Sequence, residues 1–390
     1  MTEEKATTMK SPDEDGFAYI DNGTGIEEET EPDYTEGEPS ITEPFDPTLI
    51  RIETRTMTID LVLTRIKEGE LDLEPTFQRK SSIWKPQEQS RLIESLLIRI
   101  PLPAFYMDAT DDERWLVVDG QQRLTTMKEF VLDGKLKLYS LEFLKDLEGK
   151  IYKELPRNLQ RRILETQVTV YVIVKGTPPE VKFNIFKRIN TGGLPLSSQE
   201  IRHALNQGPA SELLARLAES NEFQAATNNT SMKDDRMEQR EFILRFLAFM
   251  ISSYMQYKTE NLEIFLNEQM AKINKMSREQ IQDIETKFKR TMIAAYDIFG
   301  KYAFRKRYKD SSRMSPINKA LFEVWSVSLN QLSDEQLQLL KERKEEVNRK
   351  FIELMKDTEF NKAVSQATGQ IKNVQRRFSA IEQLIQEVLL

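Results

Sequence analysis

Strand patterns occur only in the first half of the sequence, and this uneven distribution constrains the fold more than any other feature. Residues 104–108, 114–118 and 168–174 form short runs rich in apolar, β-branched and aromatic residues, which are typical of strands. Beyond about residue 209 the apolar residues recur at helical spacing, and no convincing strand pattern remains. The sequence therefore predicts an α+β protein, with a small mixed α/β domain over 49–208 followed by an all-helical region over 209–390.

Residues 1–48 have a composition of their own. The first 50 residues contain 15 Asp and Glu but only 2 Lys, whereas the remainder contains 54 Lys and Arg against 48 Asp and Glu. Such a segment has too few large apolar side chains to offset the entropy of ordering, so we predict a disordered acidic tail. It serves either as a solubilising tail or as a competitor of an anionic ligand for the mildly basic remainder.

The scarcity of two residue types excludes several kinds of site. The chain contains no Cys and one His, which excludes disulfides, thiolate zinc sites, a catalytic thiol and histidine-rich metal centres. His203 is expected at a helix surface or in a capping role. There is no signal-peptide pattern and no apolar run of about 18 residues, so a cytoplasmic protein without membrane association is expected.

One turn concentrates polar chemistry between a strand pattern and a helix pattern. An apolar run over 115–118 precedes Asp119, Gly120, Gln121, Gln122 and Arg123, and a helical pattern follows. A strand that enters a helix through a glycine turn is suited to hold phosphate, because backbone N–H groups and the positive helix end face the anion. The alternative is an ordinary Asp-Gly turn that leads into an exposed first helical turn.

Several segments resemble, in the same order, the N-terminal domain of GmrSD-type restriction endonucleases. The resemblance covers about residues 50–255 and implies a ParB/sulfiredoxin-like fold for the first domain. The segments are Phe77–Arg79, Trp84, LIESLLIRIPLPAFYM (92–107), WLVVDGQQRLTTM (115–127), FKRINTGGLPLSSQEIRHA (186–204) and RMEQREFILRFLAF (236–249).

This resemblance implies a nucleotide-binding and often nucleotide-hydrolysing module of bacterial systems that act on modified phage DNA. The cofactors would be a nucleoside triphosphate (GTP, ATP or CTP) and Mg²⁺. The nucleotide-binding positions would be Gln78, Arg79, Gly120, Arg123, Asn190, Thr191 and Gly192, and the catalytic positions Asp119, Gln121 and Gln122. By itself, the Asn190–Gly193 segment is equally typical of a helix stop.

Residue chemistry assigns a role to each position of the turn. Gly120 lets the backbone approach phosphates closely, and Arg79 and Arg123 offer guanidinium groups to their oxygens. Asp119 would hold Mg²⁺ through water or orient an attacking water. Gln121 or Gln122 would position that water.

Nuclease activity of this chain itself is not expected. No histidine follows His203 and there is no Asp-His pair, so an HNH-type centre is missing and a separate nuclease or effector subunit would cut DNA. Arg305, Lys306 and Arg307, with aromatic neighbours, are predicted to contact DNA, unless they form a solvated turn whose aromatics pack on helices.

Two other functions stay open at this point. One is a nucleotide- or DNA-binding switch without turnover, and the other is an interaction protein that acts with a partner nuclease or toxin. Assembly into a homo-oligomer is also left open.

Overall fold

The chain folds as two units. The computed structural model describes residues 25–27, 51–73, 84–189, 197–228, 237–259, 261–309 and 314–390. Ser40–Leu205 form an α/β unit, and Met1–Pro39 together with Asn206–Leu390 form a helical unit.

The α/β unit is built on a mixed five-stranded sheet. Its strands are β1 (Ile52–Thr58), β2 (Leu71–Asp72), β3 (Phe105–Ala109), β4 (Trp115–Asp119) and β5 (Gln167–Val174). Their spatial order is β1-β5-β3-β4-β2. β3 pairs antiparallel with β4 and parallel with β5, so the first residues of β3 lie beside the last residues of β4. This arrangement confirms the predicted α+β class.

Helices cover the sheet through two separate apolar clusters. The helices of this unit are α1 (Ile59–Lys67), α2 (Pro86–Leu97), α3 (Gln121–Val131), α4 (Arg157–Glu165), α5 (Pro179–Ile189) and α6 (Ser198–Leu205). The larger cluster joins the strands to α1–α4, and the smaller one joins Val118 and Ile173 to Phe183, Phe186 and Ile201 of α5 and α6. Each buried Phe contributes roughly 1.5–3 kcal/mol, so this second cluster fixes α5 against the strand that leads into the polar turn.

The helical unit is organised around one fully buried helix. Its helices are α7 (Pro209–Ala218), α8 (Asn221–Ala226), α9 (Glu238–Ile251), α10 (Leu262–Ile273), α11 (Arg278–Phe299), α12 (Lys319–Asn330), α13 (Asp334–Glu342), α14 (Lys344–Met355), α15 (Thr358–Ser365) and α16 (Ile371–Leu389). Every residue from Ala320 to Leu329 of α12 is buried. Within the described residues, no helix has the length and apolar content needed to cross a membrane.

Residues 334–355 fold as two helices rather than one. Arg343 leaves the helical conformation between α13 and α14, with φ −97° and ψ 23°. Its guanidinium donates to the carbonyl of Val388 on α16. This long-range contact, which no local pattern reveals, accompanies the break.

Three residues of the predicted disordered tail are ordered against the helical unit. Gly25–Glu27 lie beside Ile317, and the two segments share a parallel β-bridge. Ile26 is buried in the main apolar cluster, and Glu27 pairs with Lys306. The prediction of disorder is therefore wrong for these residues, because one apolar side chain and one ion pair supply burial that the average composition of the tail does not reveal.

A buried ion pair between α12 and α16 gives a test of the helical unit. The side chains of Glu323 and Arg377 are 0% exposed, and Arg377 Nε lies 3.0 Å from Glu323 Oε1. We expect Arg377→Met to lower the free energy of unfolding by about 3–5 kcal/mol, because the carboxylate loses its guanidinium partner away from water. Urea unfolding measures this loss. The double variant Arg377→Met/Glu323→Met should be more stable than the single one, and the opposite order would contradict the assignment.

Candidate functional site

Gly120 is required by both the backbone and the packing of the turn between β4 and α3. It has φ +98° and caps α3, and no side chain provides a capping hydrogen bond there. A Cβ atom on Gly120 would lie 2.3 Å from Phe105 Cδ1. The backbone of the turn therefore packs directly on the aromatic ring, which no larger residue would allow.

Arg123 braces this turn from inside the protein. Its terminal nitrogens donate to the carbonyls of Pro103 and Ala104 and, at 2.9 Å, to Asp119 Oδ2. Its guanidinium carbon also stands 4.3 Å from the centre of the Phe105 ring. With the side chain only 11% exposed, the guanidinium holds the chain before β3 against the end of β4. Arg123 thus braces the turn, and its contact with phosphate stays a prediction.

Asp119 is a partly dehydrated carboxylate. Burial raises its pKa above the ordinary value for aspartate, while the charge of Arg123 and the Gly120 N–H oppose that rise. Tyr106 lies directly opposite Asp119 in the sheet and stacks on Tyr171 at 4.9 Å between ring centres. Burial, helped by Tyr171 and Asp119, raises the pKa of Tyr106. Because its own pKa is raised, Asp119 takes up a proton at a higher pH than an exposed aspartate would.

The two glutamines occupy the first turn of α3. Gln121 Nε2 donates to the carbonyl of Leu73 at 2.6 Å, and the carbonyl of Gln122 accepts from the Thr126 hydroxyl. Both glutamines are half-buried. Gln121 thus ties the start of α3 to the residue that follows β2.

Five of the predicted nucleotide-binding positions lie outside the described residues: Gln78, Arg79, Asn190, Thr191 and Gly192. Two described residues that precede them in sequence contact the turn or the strand before it. Leu73, which precedes the Gln78-Arg79 motif, accepts the bond from Gln121. Phe186, which precedes Asn190, packs in the same cluster as Val118.

A cleft of about 510 Å³ opens beside α3. Leu73, Thr125 and Lys128 line it, together with charged side chains of both signs. Thr125 lies one helical turn beyond Gln121, so the cleft and the polar turn share the same helix. No pattern in the sequence indicates this cleft, because its walls come from segments far apart in the chain.

His203 is not at a helix surface. It is 2% exposed on α6, where Glu200 and Arg202 are also fully buried. A capping box starts this helix, since Glu200 N donates to Ser197 Oγ at 3.1 Å and Ser197 N donates to the Glu200 carboxylate. The buried apolar residue Ile201 packs α6 against the sheet, and the polar residues next to it are buried as well.

The three basic residues predicted to contact DNA, Arg305, Lys306 and Arg307, are buried in the helical unit rather than exposed. These residues are only 2%, 5% and 6% exposed. Arg305 donates to the carbonyls of Ser315 and Thr227, and burial lowers its pKa to about 10. A charge pattern in the sequence could not distinguish this internal use of cations from a basic surface.

Metal-ligand side chains are sparse in the part of the chain that the structure describes. No group of three or more His, Cys, Asp or Glu side chains there is placed to hold a metal ion. Asp119 is thus a single carboxylate, and its Oδ2 accepts from Arg123. This donor set fits a cation such as Mg²⁺ only when phosphate and water supply most of the ligands.

The α/β unit, with its polar turn at the end of a strand, carries all but the last of the segments that resemble a restriction-system domain. Residues 59–206 match the family model of the GmrSD restriction endonuclease, N-terminal domain. The match confirms the resemblance over those residues, which make up less than half of the chain. It indicates a component of a restriction or phage-defence system. No curated protein sequence matches the chain.

Proposed function

We propose that this protein is the nucleotide-binding regulatory component of a restriction or phage-defence system and that it hydrolyses a nucleoside triphosphate at the Asp119–Arg123 turn. The observation that carries the proposal is the conformation of Gly120. Its positive φ and its contact with Phe105 fix an uncapped helix start beside a carboxylate and two amides. Helix starts of this kind favour phosphate.

Each residue of the turn has a distinct part in the proposal. The N–H groups at the start of α3 bind phosphate oxygens, and the side chain of Gln122 positions the attacking water. Gln121 holds the carbonyl of Leu73, five residues before Gln78 in the sequence. Arg123 acts through Asp119 and the backbone, which keep the turn in its binding conformation.

A triphosphate would bring Mg²⁺ to the site. The ion would reach Asp119 through water, because the carboxylate is already bonded to Arg123, and it would neutralise charge on the phosphates. The protein's own contribution is the Arg123 guanidinium, which orients the Asp119 carboxylate and offsets part of the rise in its pKa that burial causes.

A second candidate is nucleotide binding without turnover. The bond between Asp119 and Arg123 favours it, since Asp119 Oδ2 accepts from the guanidinium rather than from an attacking water. In both versions a separate subunit would cut DNA.

A phosphate-release assay with GTP, ATP and CTP, with and without DNA, tests the proposal. We expect turnover of at least one nucleotide and a loss of about a hundredfold or more in Asp119→Ala and Gln122→Ala, because a water-orienting group contributes about that much. Gln121→Ala should lose turnover as well, through displacement of the segment at Leu73.

Gln338→Ala provides the matched control, since Gln338 is exposed on α13 of the helical unit. Its turnover should equal that of the wild type. Normal turnover in the Asp119 and Gln122 variants would refute the catalytic assignment. Calorimetric binding of nucleotide without phosphate release would instead favour the second candidate.

A further inference from the structure

A short piece of the acidic N-terminal segment is inserted into the helical unit. Glu27 N donates to Ile317 O and Ile317 N donates to Gly25 O, both at 2.9 Å. Ile317 is also bridged antiparallel to Arg305. Gly25–Glu27 therefore add a third extended segment to a small sheet-like arrangement, as peptides do when they bind by strand addition.

The two side chains of this segment are recognised by different chemistry. Ile26 is 1% exposed and belongs to the main apolar cluster of the helical unit. Glu27 is 5% exposed. Its carboxylate accepts from Lys306 Nζ and, at 3.1 Å, from Asn318 Nδ2. An apolar pocket thus binds Ile26, and a cation and an amide bind the next residue, Glu27.

The receptor side of this contact is held by the helical unit itself. Lys306 Nζ also donates to Ser365 Oγ at 2.6 Å, and Asn318 Nδ2 to Val364 O at 2.7 Å. Asn318 additionally caps α12 through Leu321 N. Both groups that donate hydrogen bonds to Glu27 are therefore oriented by contacts that do not involve the segment. The segment itself lies 279 residues from Lys306 along the chain.

We propose that Ile317, Asn318 and Lys306 form a binding site for an extended peptide that carries an apolar residue followed by glutamate. Gly25–Glu27 occupy this site as a tethered ligand of the same chain. Main-chain pairing supplies affinity, whereas the Ile26 pocket and the Lys306-Asn318 pair supply specificity. The site is independent of the nucleotide turn in the α/β unit, and each can be tested without the other.

The first test uses a variant of the full-length chain whose own N-terminal segment should no longer occupy the site. In the variant Ile26→Ser/Glu27→Gln, we expect a fluorescein-labelled synthetic peptide of residues 20–32 to bind, as measured by anisotropy. The wild type should bind it about tenfold or more weakly, because its own segment competes. A Glu27→Gln peptide should lose about tenfold to a hundredfold in affinity, the equivalent of one charge-assisted hydrogen bond. A Glu28→Gln peptide changes the charge equally and should bind normally.

Equal binding to the wild type and the emptied variant would overturn the proposal, and so would equal binding of the two peptides. A second measurement tests the proposal in case the variant Ile26→Ser/Glu27→Gln does not fold. A protease site inserted between residues 40 and 50 allows the tail of the folded protein to be cut. We expect the tail to co-elute with the body in gel filtration, whereas a tail carrying Glu27→Gln should separate. Immediate release of the unaltered tail would contradict a specific site.

Discussion

Replacing Gly120 by alanine is expected to lower the free energy of unfolding by about 2–5 kcal/mol and to abolish nucleotide binding. Two costs add. A non-glycine residue at positive φ costs about 1–2 kcal/mol, and a Cβ atom 2.3 Å from Phe105 Cδ1 adds about 1–3 kcal/mol of overpacking. Relief of that clash must shift the ring or the turn, and either shift changes the backbone that would hold phosphate. Urea unfolding and calorimetry measure the two effects.

Gly134→Ala separates these two costs. Gly134 also has a positive φ, +63°, but a Cβ atom added there would have no other atom within 4 Å. This variant should lose only about 1–2 kcal/mol and should keep its nucleotide affinity. Equal losses of stability in both variants would show that the contact with Phe105 does not constrain the turn.

Removal of the Arg123 guanidinium in Arg123→Met is expected to cost about 2–4 kcal/mol of unfolding free energy, less than for a fully buried pair because Asp119 keeps some contact with water. The carbonyls of Pro103 and Ala104 lose their donor, and Asp119 loses its counter-charge. Turnover should fall together with stability. Arg123→Lys should recover only part of both, since one ammonium cannot reproduce the planar set of donors.

An exposed ion pair of the same unit provides the comparison. Arg91 pairs with Glu142, but the two side chains are 51% and 52% exposed, so Arg91→Met should cost less than about 1 kcal/mol. Adding Asp119→Asn to Arg123→Met should restore stability, because no uncompensated carboxylate remains. If the double variant were less stable than Arg123→Met, the stabilisation by Arg123 would not come from its ion pair with Asp119.

Local patterns in the sequence are sufficient to predict most of the secondary structure. β3, β4 and β5 lie within one residue of the predicted strands. The short helices α4, α8 and α15 are not predicted, because few apolar residues fall at helical spacing within them. Helices of this length depend on packing for their stability.

The use of individual charges cannot be predicted from the sequence. Arg123 is expected to face a ligand, yet it bonds to carbonyls before β3, since the pairing of β3 with β4 brings those carbonyls beside it. Arg305 and Lys306 resemble a basic patch in the sequence but are buried in the interior. In each case the partner is distant in the chain, and only the fold determines it.

Hydrogen–deuterium exchange with and without each nucleotide tests the central claim most directly. A nucleotide bound at the turn should slow exchange in peptides that cover residues 116–128 and leave those that cover α11 unchanged. Gly120→Ala should abolish the protection. Protection confined to the helical unit, or no protection over 116–128 at saturating GTP, ATP and CTP, would contradict the account.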